Sequence, residues 1–203
     1  LFCCKIFVMK YHLIVFGCQM NISDSERISA VLNGKKTSDM SKADLIVAVM
    51  CSVRQSAVNR VHGLIQKFKE IRKKNPKLKT VLTGCVLKRD KRKFADGFDF
   101  IVDTREIKKL PKLLGLKNKI KNADNYLDIT PKYSTKFSAY VPIMTGCNNF
   151  CAYCVVPYAR EREISRSAKE IICEIKNLIK NGYKEIWLLG QNSVQLLLVV
   201  AGK

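Results

Sequence analysis

Three cysteines fall within eight residues, in the run Cys147-Asn148-Asn149-Phe150-Cys151-Ala152-Tyr153-Cys154. Thiolates this close together can face one centre, and sulfur donors suit soft metals and metal clusters. A structural zinc site takes four ligands, commonly in pairs two to four residues apart. No fourth cysteine or histidine lies nearby: His12 and His62 are far upstream, and Cys173 sits inside a helical pattern. Three thiolates instead suit an iron–sulfur cube with one iron left open. Zinc completed by a distant residue is the alternative.

The cysteine count of nine is odd, which fits a secreted disulfide framework poorly. Four cysteines follow apolar, strand-like runs: Cys18, Cys51, Cys85 and Cys147. The elements before them explain why that matters. Tyr11–Phe16, Leu45–Met50, Thr80–Thr83 and Phe98–Val102 read as strands. Between them lie a helix opened by a Ser23/Glu26 capping box and stopped near Gly34, and a long amphipathic helix over Val53–Lys74. A short helix, Arg105–Leu114, closes at Gly115. This β-α-β-α-β order predicts an α/β fold with a parallel, Rossmann-like sheet covered by helices. Parallel strands end at a common edge. Cys18, Cys51 and Cys85 are therefore expected to converge there, whereas three unrelated buried thiols would have no reason to share a strand end.

Residues 117–136 are polar and read as a linker, and a second unit spans 137–203 after a first unit of 10–116. In the second unit Ser138–Met144 is a strand that Pro142 marks as an edge or a bend. Ser167 and Glu170 form another capping box, opening a helix to Asn181 with Ile171, Ile172, Ile175, Leu178 and Ile179 on one face. Glu185–Leu189 is the next strand, and Gln191 and Asn192 follow it. Met9 is a plausible alternative start, and no apolar run reaches the roughly 18 residues of a membrane helix.

The formal charge of +20 implies a polyanionic partner. Lys67–Lys93 carries twelve basic and two acidic residues, half of the net charge. Either it is a solvated face or it meets RNA phosphates, with Lys73, Lys74, Arg89 and Arg92 as the candidates. Arg160, Arg162 and Arg166, just after the cysteine loop, are further phosphate candidates, although Glu161 and Glu163 between them also allow a local ion-paired turn.

The spacing C-x3-C-x2-C after a strand resembles the radical S-adenosylmethionine superfamily. The longer string GCNNFCAYCVVPYAREREISR, Gly146–Arg166, resembles its methylthiotransferase family. Phe16-Gly17-Cys18-Gln19-Met20-Asn21 with Asp24-Ser25-Glu26, Cys51-Ser52-Val53-Arg54, Thr83-Gly84-Cys85 and GYKEIWLLGQN over Gly182–Asn192 are similar to other motifs of that family, in the same order. The resemblance implies an α/β domain followed by the first βα units of a radical S-adenosylmethionine barrel. It implies two 4Fe-4S clusters: one on Cys147, Cys151 and Cys154, whose open iron takes S-adenosylmethionine, and an auxiliary one on Cys18, Cys51 and Cys85. Tyr153, Gln191 and Asn192 would lie near the cofactor, Tyr153 having core packing as its plainer role. Cys3, Cys4 and Cys173 match no motif.

Gln-Met-Asn after Cys18 is similar to the branch that methylthiolates carbon 2 of N(6)-dimethylallyladenosine beside the tRNA anticodon. Sister branches act on threonylcarbamoyladenosine in tRNA or on a ribosomal protein, and a basic iron–sulfur module that grips RNA without catalysis is a third reading. The family also implies a flavodoxin- or ferredoxin-type electron donor, the cytoplasm and a monomer. Some residues depart from the family pattern. Val49-Met50 stands where Asn-Thr is usual, Ser167 where proline is common, and the match ends at Asn192. The 67 residues from Phe137 onward are fewer than the roughly 200 of a closed (β/α)8 barrel. The expectation is therefore the front part of a longer enzyme that does not complete methylthiolation alone, with Leu196–Val200 as an exposed apolar run.

Overall fold

A computed structural model describes residues 8–116 and 125–192. Cys3, Cys4, the run Leu196–Val200 and residues 117–124 of the expected linker lie outside these. The first unit holds a five-stranded sheet in the order β2-β1-β3-β4-β5, with every pairing parallel. Its strands are β1 (Lys10–Phe16), β2 (Lys35–Lys36), β3 (Leu45–Cys51), β4 (Lys79–Cys85) and β5 (Phe100–Ile101). The helices are α1 (Gln19–Leu32), α2 (Gln55–Lys74), α3 (Lys88–Phe94) and the single turn α4 (Leu110–Leu113).

Alternation along β3 divides the core between the two faces. Leu45, Val47 and Val49 pack with Ile28, Val31 and Leu32 of α1 and with Leu110. Ile46, Ala48 and Met50 pack with Val58, Val61, Leu64 and Phe68 of α2. All seven β3 residues are buried, as a central parallel strand covered on both faces requires. Phe98 turns its ring onto Phe68 and Phe94 at 5.3 and 6.3 Å, which leaves β5 two residues long rather than five.

Helix α1 starts four residues before the expected Ser23 cap. Its N-cap is Cys18, whose backbone N–H donates to the Asn21 carboxamide at 3.2 Å. Ser23 and Glu26 are inside the helix and turn to the second unit and the segment that leads into it. Ser23 Oγ donates to the Tyr140 carbonyl at 3.3 Å, and Glu26 accepts from the Ser134 amide and hydroxyl at 2.9 and 2.6 Å. The second unit covers the face of α1 that the sheet does not, so buried polar groups there must find partners across the contact.

The segment read as a linker is not a free tether from Asn125 onward. Tyr126, Leu127 and Ile129 are buried in the core under α1. The expected helix over Arg105–Leu114 is a 3-10 stretch, Thr104–Lys109, before α4. Pro111 has no N–H to continue an α ladder back to Ile107, so the Leu110 amide makes the tighter bond to that carbonyl. Likewise α2 begins at Gln55 rather than Val53.

The second unit comprises β6 (Ser138–Pro142), β7 (Met144–Thr145), α5 (Val156–Arg160), β8 (Ile164–Ser165), α6 (Ala168–Lys180) and β9 (Glu185–Leu189). Strands β6 and β9 pair in parallel, and β7 pairs antiparallel with β8. The single expected strand Ser138–Met144 therefore bends after Pro142. The cap of α6 forms as expected, with Ser167 and Glu170 each bonding the other's backbone amide at 3.3 and 2.9 Å. Its apolar face splits, however: Ile171 and Leu178 are buried against the strands, while Ile172 and Ile179 face outward, as do Trp187 and Leu188 of β9. The first two sit on the side that meets β6 and β7, and a helix rotates the others away from it.

Ile28 lies between sheet and helix with no exposed surface. Ile28→Ala should cost about 2–5 kcal/mol of unfolding free energy, the usual range for an emptied core site. Ile172→Ala should stay within about 0.5 kcal/mol. Urea unfolding of the two variants measures both.

Candidate metal centres

Three thiols share the C-terminal rim of the parallel sheet. Cys51 and Cys85 end β3 and β4 as direct register partners, and Cys18 stands two residues past β1, the other neighbour of β3. Asn21 ties the set together: its carboxamide oxygen is 3.6 Å from Cys18 Sγ, and its nitrogen is 3.8 Å from Cys85 Sγ. Gly84 makes this approach possible. Its φ is +109°, and a Cβ there would lie 2.4 Å from the Met50 carbonyl oxygen. Contact with Cys85, aided by the Val53 and Arg54 amides, pulls the Cys51 thiol down to about 6. The same contact, with burial, pushes Cys85 up.

The second set lies on the loop between β7 and α5. The loop is closed by the Cys147 amide donating to the Glu161 carbonyl at 3.2 Å and the Glu163 amide donating to Asn148 at 3.1 Å. Gly146, at φ +81°, lets Arg162 and Glu161 carbonyls approach within 2.3 and 2.6 Å of where a Cβ would stand. Within the loop Cys147 is buried, Cys154 half-buried and Cys151 exposed.

A buried polar chain joins the two sets. Arg160 ends α5, six residues after Cys154, and its side chain is 3% exposed. Its Nε donates to Cys85 Sγ at 2.7 Å and its Nη2 to Asp24 at 2.5 Å. Asp24 is fully buried and also accepts from Asn21 at 3.4 Å and from the Tyr126 hydroxyl. Burial, and next that carboxylate, hold Tyr126 far above the usual phenol range. From the other side, Arg105 Nη2 donates to the Arg160 carbonyl at 2.7 Å and to the Arg162 carbonyl. Arg105 also pairs with Glu161 at 3.4 Å.

The donor set fits iron–sulfur ligation. All six motif cysteines carry free thiols, and each triad gathers on one rim or loop with no histidine or carboxylate mixed into the sulfur positions. Among the described residues, no three Cys, His, Asp or Glu side chains close around one point as a single ion needs. A cube has a different requirement, because its thiolates bind separate irons and stand apart.

The other residues singled out from the sequence are scattered. Tyr153 is 89% exposed, so it is not core packing. Gln191 follows β9 with a buried carboxamide oxygen that has no partner, and Asn192 comes next in the chain. Arg160 is no phosphate contact, because Asp24 and Cys85 hold it inside the protein. Arg166 is likewise committed, to Glu174 at 2.5 Å and to the Pro142 carbonyl at 3.1 Å. Arg162 remains exposed and lies over the Phe150 ring at 4.2 Å.

The basic stretch also divides. Lys73, paired with Glu70 at 2.8 Å, and Lys74 end α2, next to the start of β4. That is the sheet edge away from the cysteines. Arg89 and Arg92 lie on α3, which leaves the cysteine edge. Lys88 and Arg89 line a cleft of about 580 Å³ with Phe150, Tyr158 and Arg162. Sequence reasoning placed Asn21 and Asp24 in a family motif without giving either a role, and it did not single out Tyr126 or Arg105.

Comparison with known proteins gives two family matches. Residues 10–103 match the uncharacterized protein family UPF0004, and residues 141–196 match the radical SAM superfamily. The chain is 42% identical to a tRNA-2-methylthio-N(6)-dimethylallyladenosine synthase of Syntrophomonas wolfei, over 91% of this chain and 45% of the relative. Proteins of the same name from Dictyoglomus thermophilum and Caldicellulosiruptor saccharolyticus are 38% and 41% identical, over 90% of this chain and 45% and 42% of their own lengths. The chain thus spans less than half the length of these curated relatives.

Removing one partner of a buried pair leaves an uncompensated charge. Arg160→Gln should therefore destabilise the fold by about 3–5 kcal/mol. Lys73→Gln breaks an exposed pair and should cost less than about 1 kcal/mol. Anaerobic chemical denaturation of the two variants compares them directly.

Proposed function

The chain belongs to the radical S-adenosylmethionine methylthiotransferase family, and on that premise we propose that its residues serve methylthiolation of carbon 2 of N(6)-dimethylallyladenosine in tRNA. Cys147, Cys151 and Cys154 would hold the 4Fe-4S cluster that takes S-adenosylmethionine, and Cys18, Cys51 and Cys85 the auxiliary cluster. The observation that carries this reading is the buried link between the two cysteine-bearing segments, in which Arg160, six residues after Cys154, donates through Nε to Cys85 Sγ. When bound, the clusters and S-adenosylmethionine supply one-electron chemistry at an aromatic C–H, which no acid or base side chain provides.

The chain's own part is ligation, orientation and electrostatics. Asn21 and Gly84 set the spacing of the rim thiols, and the Gly146 turn with the Cys147 amide bond shapes the loop. Beside the loop, Lys88, Arg89 and Arg162 offer charge, while Phe150 and Tyr158 offer ring faces and edges. That combination of cations and exposed aromatics suits unpaired nucleotides of an anticodon loop, whose bases stack and whose phosphates pair. Lys73 and Lys74, on the other edge, are solvated charge in this reading. No helix among the described residues is long and apolar enough to cross a membrane. A cytoplasmic monomer drawing electrons from a flavodoxin- or ferredoxin-type protein completes the proposal.

Anaerobic reconstitution should give iron and sulfide for two cubes. Changing Cys147, Cys151 and Cys154 to alanine should leave one, whereas complete loss of iron or none would refute the two-site assignment. Binding to an anticodon stem-loop should weaken with salt, log K falling by about 0.7–0.9 per phosphate contact for each tenfold rise in salt. Reversing Lys88, Arg89 and Arg162 should flatten that slope more than reversing Lys73 and Lys74, and the opposite order would move the RNA surface to the other edge. For the substrate itself, residues 10–192 can replace the matching part of a full-length relative. Nucleoside mass spectrometry should then show the methylthio mark on dimethylallyladenosine and not on threonylcarbamoyladenosine.

A further inference from the structure

We infer that Arg160, clamped by Asp24, is a positioning residue that sets the electronic properties of the auxiliary centre and couples it to the neighbouring cysteine loop. The inference rests on the assignment of Cys85 as an auxiliary-cluster ligand. Arg160 follows Cys154 by one helical turn and a half of chain, yet its Nε lies 2.7 Å from Cys85 Sγ, a bond that spans 75 residues of sequence. Its other end is held by Asp24 through Nη1 and Nη2, at 3.4 and 2.5 Å. Asp24 is fixed in turn by Asn21 and by the Tyr126 hydroxyl, and the Arg160 backbone by Arg105. The guanidinium therefore has one orientation, with an N–H aimed at sulfur.

Its environment magnifies the effect. Asp24 and the Arg160 side chain are 0% and 3% exposed, so water screens neither. Hydrogen bonds to ligand sulfur and nearby positive charge both stabilise the more negative, reduced form of an iron–sulfur centre, and so raise its potential. Asp24 partly offsets the charge, but it leaves the N–H to sulfur directed. Asn21 donates to the same sulfur at the longer distance of 3.8 Å, which makes Arg160 the dominant donor. Because α5 follows the loop cysteines without a break, any displacement of that loop moves this hydrogen bond as well.

The test uses the full chain with Cys147, Cys151 and Cys154 changed to alanine, so that one cluster remains. In that background the pair Arg160→Gln with Asp24→Asn removes both charges together and avoids a buried lone carboxylate. Its midpoint potential, read by electron paramagnetic resonance during redox titration, should fall below that of the background with iron content unchanged. Arg160→Lys keeps the charge without the planar fork and should fall less. Asp24→Asn alone leaves the buried guanidinium charge without its offset and should raise the potential above that of the background. A cluster present in these variants with unmoved potential and spectrum would overturn the inference while leaving the site assignment intact. Failure of the background chain itself to bind iron, with Arg160 in place, would overturn the assignment and the inference together.

Discussion

The buried pair of Asp24 and Arg160 is the constraint around which the two units are arranged. An arginine and a carboxylate taken out of water gain little net stability over apolar packing, but neither tolerates losing the other. Here the carboxylate comes from α1 of the first unit and the guanidinium from α5 of the second. Their mutual dependence fixes how the units meet, and Cys85 and Tyr126 take up the remaining hydrogen-bonding capacity. The contact therefore carries orientation more than energy, and what it orients is the approach of two cysteine sets.

Helix α1 explains why the pair sits where it does. A surface helix of a parallel α/β unit shows one apolar stripe and one wet face. In α1 eleven of fourteen residues are buried, including Asp24, Glu26 and Arg27. Ile28, Val31 and Leu32 meet the sheet, while Ser23 reaches Tyr140 of the following unit and Glu26 reaches Ser134 in the segment that leads into it. Arg27 lies over the Tyr126 ring at 5.4 Å, and its Nη1 donates to Ser23 at 2.7 Å. The helix thus serves as the middle layer between two sheets. Its first residue follows Cys18, so the same layer that joins the units also places one of the rim thiols.

The parallel sheet supplies the rest of the geometry cheaply. Three strand ends come to one edge because all crossovers run the same way, whatever the length of chain between them. Register then places Cys51 beside Cys85, and Gly84 opens the backbone where packing would otherwise forbid the turn. Basic residues followed a different rule. Charge in a continuous stretch of sequence was split by α2 and β4 running in opposite directions, which leaves Lys74 and Arg89 at opposite edges.

The strands β1, β3, β4 and β9, the amphipathic α2 and α6, and the convergence of Cys18, Cys51 and Cys85 were all legible in the residues alone. Each follows from periodicity or from the direction of parallel strands, which are local or topological rules. The loop cysteines were legible too, because three thiols within eight residues need no fold to bring them together. The role of Arg160, the start of α1 at Cys18, the burial of Tyr126 and the outward turn of Ile172 and Ile179 were decided by tertiary structure. In each case the deciding partner lies in another unit or on another layer: Asp24 for Arg160, Tyr140 and Ser134 for the residues that looked like a cap, and β6 and β7 for the faces of α6. A side chain's role in a buried polar network depends on which charge and which layer of packing lie against it across the fold, and no spacing along the chain encodes that.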